Sequence, residues 1–208
     1  MPIQLGSVIK YLYQSKYFSK MNRFLKWVLY FLVFVAVGTF IYAYFVDDSL
    51  FQKRLSPKDT VSLVKNDLKM EVFYNRPSKR GREIFGGLVP YEKVWRTGAN
   101  EATTFKTNKA LKIKNDSLPA GKYTLWTIPN DSTWHVMFNS KDYPWGVDME
   151  MNPMREPQFD VVNVEVPVEM INTTVEEFTI GFDNSLDDLS LTMVWDDIKV
   201  AVPIETYN

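Results

Sequence analysis

The sequence predicts an all-β domain, an antiparallel β-sandwich of the jelly-roll kind, carried behind one N-terminal transmembrane helix. Three observations predict it. One uncharged apolar run of membrane-spanning length lies near the N-terminus. Alternation of apolar and polar residues with period two recurs through the remainder, and turn-forming clusters interrupt that remainder about every 8–15 residues.

The elements follow in chain order. Residues 1–26 carry Lys10, Lys16, Lys20, Arg23 and Lys26 without a single acid, a local charge of +5. Since the whole chain sums to -1, everything after residue 26 sums to -6. Trp27 to Val46 is free of charge, and its twenty residues at about 1.5 Å of rise per residue match the hydrocarbon thickness of a bilayer. Trp27, Tyr30, Tyr42 and Tyr44 stand near its two ends, where aromatic side chains favour the membrane interface. Asp47 and Asp48 close the run. The lopsided basic flank predicts a cytoplasmic N-terminus and a domain on the periplasmic or extracellular side, with the lipid bilayer as partner of residues 27–46. The bulky Tyr-Ala-Tyr-Phe-Val ending at Val46 argues against a cleaved signal peptide, and Met21 opens a self-sufficient anchor that makes it a second candidate start of translation.

Residues 47–66 are polar and charged, with Pro57, and read as a stalk ending in a short first strand or helix. The exported sandwich is then expected over 67–208. Leu68, Met70, Val72 and Tyr74 alternate with Lys69, Glu71 and Phe73, a half-buried strand pattern. Thr103–Thr107 and Leu111–Lys114 are shorter strands. Tyr123–Ile128 and Trp134–Asn139 flank Pro129-Asn130-Asp131-Ser132, the clearest hairpin of the chain. Phe159–Val168, Glu177–Phe182 and Leu189–Trp195 continue the series. A last strand alternates from Ile198 to Ile204 after an Asp196-Asp197 turn, with Pro203 placing it at an edge or marking its end. Residues 141–158 have no regular pattern.

The chemistry of the chain is sparse. There is no cysteine, which removes disulfides, thiolate nucleophiles and thiolate metal sites. His135 is the single histidine, so it has no second imidazole for a metal cluster, and no nucleophile elbow accompanies it; a solvent-facing strand residue is the simpler reading. Asp183, Ser185 and Asp187 begin like a calcium loop. Asp188 stands where that loop needs glycine and Val194 where it needs glutamate, so an acidic turn explains them better. Asn115, Asn130 and Asn172 open glycosylation triplets that matter only in a glycosylating host. No cofactor motif and no metal site appear, and an acidic domain lacks the electrostatic footprint for nucleic acid.

One stretch is distinctive. Residues 74–101 gather Arg76, Arg80, Arg82 and Arg96 with Gly81, Gly86, Gly87 and Gly98, in an otherwise acidic domain. Arg96 and Glu101 are spaced to pair, with Asn100 between them. Two readings stay open. Arg76, Arg82, Trp95, Arg96, Asn100 and Glu101 form a ligand site for a glycan, a small molecule or an envelope protein, or the same residues form a salt-bridge network that fixes a crossing loop. A third reading makes Glu101 and a second carboxylate the acid and base of a hydrolase acting on an envelope polymer. A fourth makes the domain a purely structural envelope module.

The same residues carry a resemblance. Asn75-Arg76-Pro77, Gly81-Arg82, Ile84-Phe85-Gly86 and the run Val94-Trp95-Arg96-Thr97-Gly98-Ala99-Asn100-Glu101-Ala102-Thr103 resemble the bacterial family known as domain of unknown function 2911. Leu118-Pro119-Ala120-Gly121-Lys122-Tyr123 with Trp126-Thr127-Ile128-Pro129 looks like its second signature, and Trp134–Asn139 with Trp145-Gly146 like its third. The likeness spans about residues 60–205. It implies an exported bacterial domain and brings no activity with it. His135 lies within this span at a position not associated with the family's pattern. A cleavable leader is what the likeness implies, and the uncleaved-looking anchor departs from it.

Overall fold

The computed structural model describes residues 22–45, 54–185 and 188–207. The basic segment 1–20, Met21, Asp47, Asp48 and Asp187 therefore lie outside the described residues. The chain divides into two units, Met1–Arg54 and Leu55–Asn208.

In the first unit, α1 (Arg23–Phe45) is the one described helix long and apolar enough to cross a membrane, with a mean hydropathy of 2.1 over Arg23–Tyr42. No part of that stretch is buried in the protein. Apolar side chains surround it on all sides, as a lipid-facing helix requires and a half-buried soluble helix does not.

The second unit is mostly β and wholly antiparallel in its paired strands. It contains β1 (Lys58–Lys65), β2 (Leu68–Asn75), β3 (Thr104–Thr107), β4 (Leu111–Ile113), β5 (Asp116–Leu118), β6 (Gly121–Pro129), β7 (Thr133–Asn139), β8 (Asp160–Asp183), β9 (Ser190–Pro203) and β10 (Glu205–Thr206). Seven of them form one sheet in the order β1-β2-β3-β6-β7-β8-β9, and β10-β4-β5 form a second. The larger sheet curls until its ends meet. Beyond the start of β8, which pairs with β7, the strand bends at register shifts between Met170, Val175 and Thr179. Its far half then meets the chain just after β2: Phe178 N–H donates to Pro77 O at 2.9 Å and Lys79 N–H to Glu176 O at 2.7 Å.

Inside the curl lies the core. Every second residue of β2 from Leu68 to Tyr74 is buried, which is why its alternation is so clean. Phe105, Leu125, Val136, Phe138, Val164 and Leu191 meet them from the other strands, all fully or nearly fully buried. Near one end the core becomes aromatic: Phe85, Trp95, Trp134, Phe178 and Trp195 interlock, with Trp95 and Phe178 ring centres 4.9 Å apart and Trp95 stacked on Trp195. The opposite face of β6 and β7 is covered by the irregular stretch 140–159, where Trp126 meets Tyr143 edge-on at 5.3 Å. Arg155 and Asp160 pair there almost out of contact with solvent.

The short first strand or helix expected at the end of the stalk is a strand, β1, at the sheet edge, whose inward residues Val61 and Leu63 are only half-buried, so its alternation is faint. Other expectations need correction. The two strands expected across 159–182 are one strand, β8, since its bulges interrupt the alternation without ending the pairing. The Asp196-Asp197 turn is an irregularity inside β9: Asp196 sits at φ 58° and the strand runs on to Pro203. β5 and β10 are too short to show in the sequence.

Candidate functional site

Between β2 and β3 the chain makes a long excursion, residues 76–103, that lies over the aromatic end of the core. Its apolar residues Ile84, Phe85 and Val89 are buried and hold it down. Trp95 exchanges both backbone bonds with Thr127 on β6, 2.7 and 3.0 Å, and its indole N–H donates to Gly98 O at 3.0 Å. Buried Thr97 lies 3.1 Å from the Thr127 hydroxyl through its own, and Thr103 donates to Thr97 O at 2.7 Å. Gly98 has φ +151°, and a Cβ there would come within 3.0 Å of Thr103 Oγ1 and 3.1 Å of Asn75 O. The backbone passes too close for any side chain, which is the physical role of this glycine.

The six residues singled out from sequence fall into two places. Arg76, Asn100 and Glu101 make a seam. Arg76 reaches Asp59 of β1 at 3.3 Å, Glu177 of β8 at 3.4 Å, Thr179 Oγ1 at 3.1 Å and Phe178 O at 3.4 Å, so one guanidinium ties the two ends of the curled sheet together. The Asn100 amide donates to Ser56 O at 3.3 Å, and Lys58 holds the Glu101 carboxylate at 2.8 Å. Those two contacts pin the segment that leads into β1.

Arg82, Trp95 and Arg96 instead line a cavity of about 470 Å³, and Arg76, Asn100 and Glu101 are not among its lining residues. That volume lies in the range of about 300–1,000 Å³ usual for small-molecule sites. Arg80 and Lys93 complete a set of four cations in its wall, and among the described residues no lining residue is acidic. Among the described residues none of the four makes an ion pair. Their donors go to backbone carbonyls: Arg80 to Leu55 O at 3.0 Å, Arg82 to Lys79 O at 3.0 Å and Ser78 O at 2.6 Å, Arg96 to Trp145 O at 3.2 Å. Burial pushes the Arg96 guanidinium below its ordinary value, and the charge of Glu101 pulls it partly back. It stays cationic throughout, since a guanidinium does not lose its proton in proteins.

Arg80, Lys93 and the opposite wall, Val147, Met151 and Pro153, were not picked out as site residues. Arg80 and Lys93 lie within or beside the arginine-rich stretch, so charge alone offers a signal for them. The opposite wall comes from the patternless region and reaches the cavity only through the fold. His135 is exposed on β7, 3.3 Å from Asn163 Oδ1. Asp183 accepts from the backbone and hydroxyl of Ser185. Among the described residues no cluster of histidine and carboxylate side chains is placed to hold a metal ion.

Residues 56–204 match the family described as Protein of unknown function (DUF2911). The chain belongs to this family. The DUF2911 span takes in the seam and every cavity residue except Leu55. No curated protein and no solved structure matches the chain.

Proposed function

We propose that this DUF2911 domain is a binding module of the cell envelope, not an enzyme, and that its ligand is a small anion-bearing molecule held in the cavity beside Trp95. The helix α1 anchors it in the membrane with the N-terminus in the cytoplasm and the domain outside. The observation that carries the reading is the set of Arg80, Arg82, Lys93 and Arg96 around one cavity, with no carboxylate among the described residues of its wall. An anion that enters would meet these cations in a wall that, among the described residues, supplies no carboxylate of its own. Arginine forks recognise carboxylates and phosphates with two parallel bonds. Glu101 supports the same reading: it is engaged by Lys58 and is not part of the cavity wall, whose described residues include no carboxylate or histidine.

The full chain in a neutral detergent, titrated calorimetrically with inorganic phosphate, is expected to bind with about millimolar affinity that weakens as salt is added. Lys93→Glu is expected to weaken it, with unchanged circular dichroism. A parent protein that binds neither phosphate nor any of a panel of carboxylates would sink the proposal. For topology, a reporter fused after Asn208 should be active only outside the cytoplasm.

A further inference from the structure

We infer that the ligand of this cavity is an amphiphile, an anionic group joined to an apolar arm, of the kind found in alkyl phosphates and phospholipids. The inference rests on the anion-binding reading above and narrows it. Four features of the wall point the same way.

Away from its four cations the wall is mainly apolar: Leu55, Leu88, Val94, Val147, Met151 and Pro153. A bare ion gains nothing from such a surface, whereas an apolar arm laid against it leaves water. The apolar character also continues outward. Leu55 is 70% exposed, Leu88 45% and Met151 62%, and Trp145, whose carbonyl takes the Arg96 bond, is 48% exposed. Single exposed apolar residues are ordinary, but a group of them bordering a cationic cavity marks an interaction surface.

The third feature is what the wall lacks. Sugar rings present many hydroxyls and are held by amides and carboxylates that accept from them. Among the described residues of the wall the uncharged polar side chains, the indoles aside, are Ser56 and Ser78. The two indole N–H groups are already committed, Trp95 to Gly98 O and Trp195 to Glu176 O at 3.1 Å. The wall therefore suits a charge and a hydrocarbon better than a ring of hydroxyls.

The fourth is the loop that presents Met151. The Asp148 carboxylate accepts from the backbone of Glu150 at 3.0 Å and of Asn152 at 2.8 Å, and from the Asn152 amide at 3.1 Å. This ties residues 148–152 into a closed turn with Met151 at its positive-φ corner, φ 66°. The backbone is fixed while the methionine side chain, unbranched and polarisable, remains free to follow the shape of an apolar arm.

The test uses the full chain in phosphatidylcholine nanodiscs, titrated calorimetrically with hexyl phosphate, inorganic phosphate, hexanol and dihexanoyl-phosphatidylglycerol, with empty discs as blank. Hexyl phosphate is expected to bind at least tenfold tighter than phosphate, and hexanol to give no heat above the blank. Lys93→Glu should weaken hexyl phosphate and phosphate alike, and Met151→Ser hexyl phosphate alone. Binding of the short phosphatidylglycerol as tightly as hexyl phosphate would make a membrane lipid the source of the ligand. Preference for hexyl phosphate would make it a free single-chain amphiphile, and either result supports the inference. Equal affinity for phosphate and hexyl phosphate overturns the apolar arm while leaving anion binding intact. Binding of neither overturns both.

Discussion

Arg76 and Arg82 lie six positions apart in the same glycine-rich excursion, yet the fold employs them in opposite ways. Arg76 is surrounded by acceptors drawn from β1 and β8, two of them carboxylates. Arg82 bonds to carbonyls of its own turn and lines the cavity, where it makes no ion pair among the described residues. A satisfied guanidinium is architecture, because removing it strands the charges it neutralised. An arginine without an acid partner among the described residues, beside three other cations, is what the proposed anion site requires. Residue type and position in sequence do not separate the two cases; their partners do.

Substitutions can break that comparison, beginning with the residue that serves both regions. Trp195 is 1% exposed in the aromatic cluster and also forms part of the cavity wall. Trp195→Ala is expected to cost about 3–5 kcal/mol and to abolish binding, read by denaturant unfolding of the full chain in neutral detergent. Retention of stability would mean that the cluster is not what supports the cavity. Next comes the contrast itself. Arg76→Met leaves Asp59 and Glu177 without their cation and is expected to cost about 2 kcal/mol, since the group is partly solvated. Lys93→Met should change stability by less than about 0.5 kcal/mol. Similar values for the two would erase the distinction between seam and cavity.

Gly98→Ala forces a Cβ against Asn75 O and Thr103 Oγ1 at a φ that side chains avoid, and is expected to cost about 1–3 kcal/mol. A neutral result would show that the excursion is looser than its hydrogen bonds imply. The smallest effect is in the pH dependence. Burial, with the Asp59 charge adding to it, raises the Tyr74 hydroxyl above its ordinary value of 10.0. The unfolded chain ionises first as pH climbs. The contribution of Tyr74 is thus complete below pH 10.0 and disappears as pH passes the higher folded value. Tyr74→Phe should flatten the alkaline decline in unfolding midpoint, and an unchanged slope would place the titration elsewhere.

How far the sequence could be read depends on how local each cause is. β2 and the β6–β7 hairpin were legible because alternation and turn chemistry are properties of neighbouring residues. β1 was faint because an edge strand buries its inner face only halfway. β8 looked like two strands because bulges displace the alternation at the bend, and only its partner β9 shows that the pairing continues. The site was half legible. Its cations cluster in one stretch, but the separation of Arg76 from Arg82 is made by Asp59 and Glu177, which are distant in sequence. Met151 and Pro153 come from a region with no pattern at all.

The segment Leu55–Lys58 gives the domain a mechanical property. Its pins are the Leu55 O bond to Arg80, the Ser56 O bond to Asn100, the Pro57 O bond to Arg76 N–H and the Lys58 pair with Glu101. Tension arriving from residues before Leu55 would load these bonds one after another, like a zipper, before reaching the eight-residue ladder of β1 on β2. Leu55 and Ser56 are also cavity wall, so the bonds that hold the entry to β1 hold one side of the cavity as well.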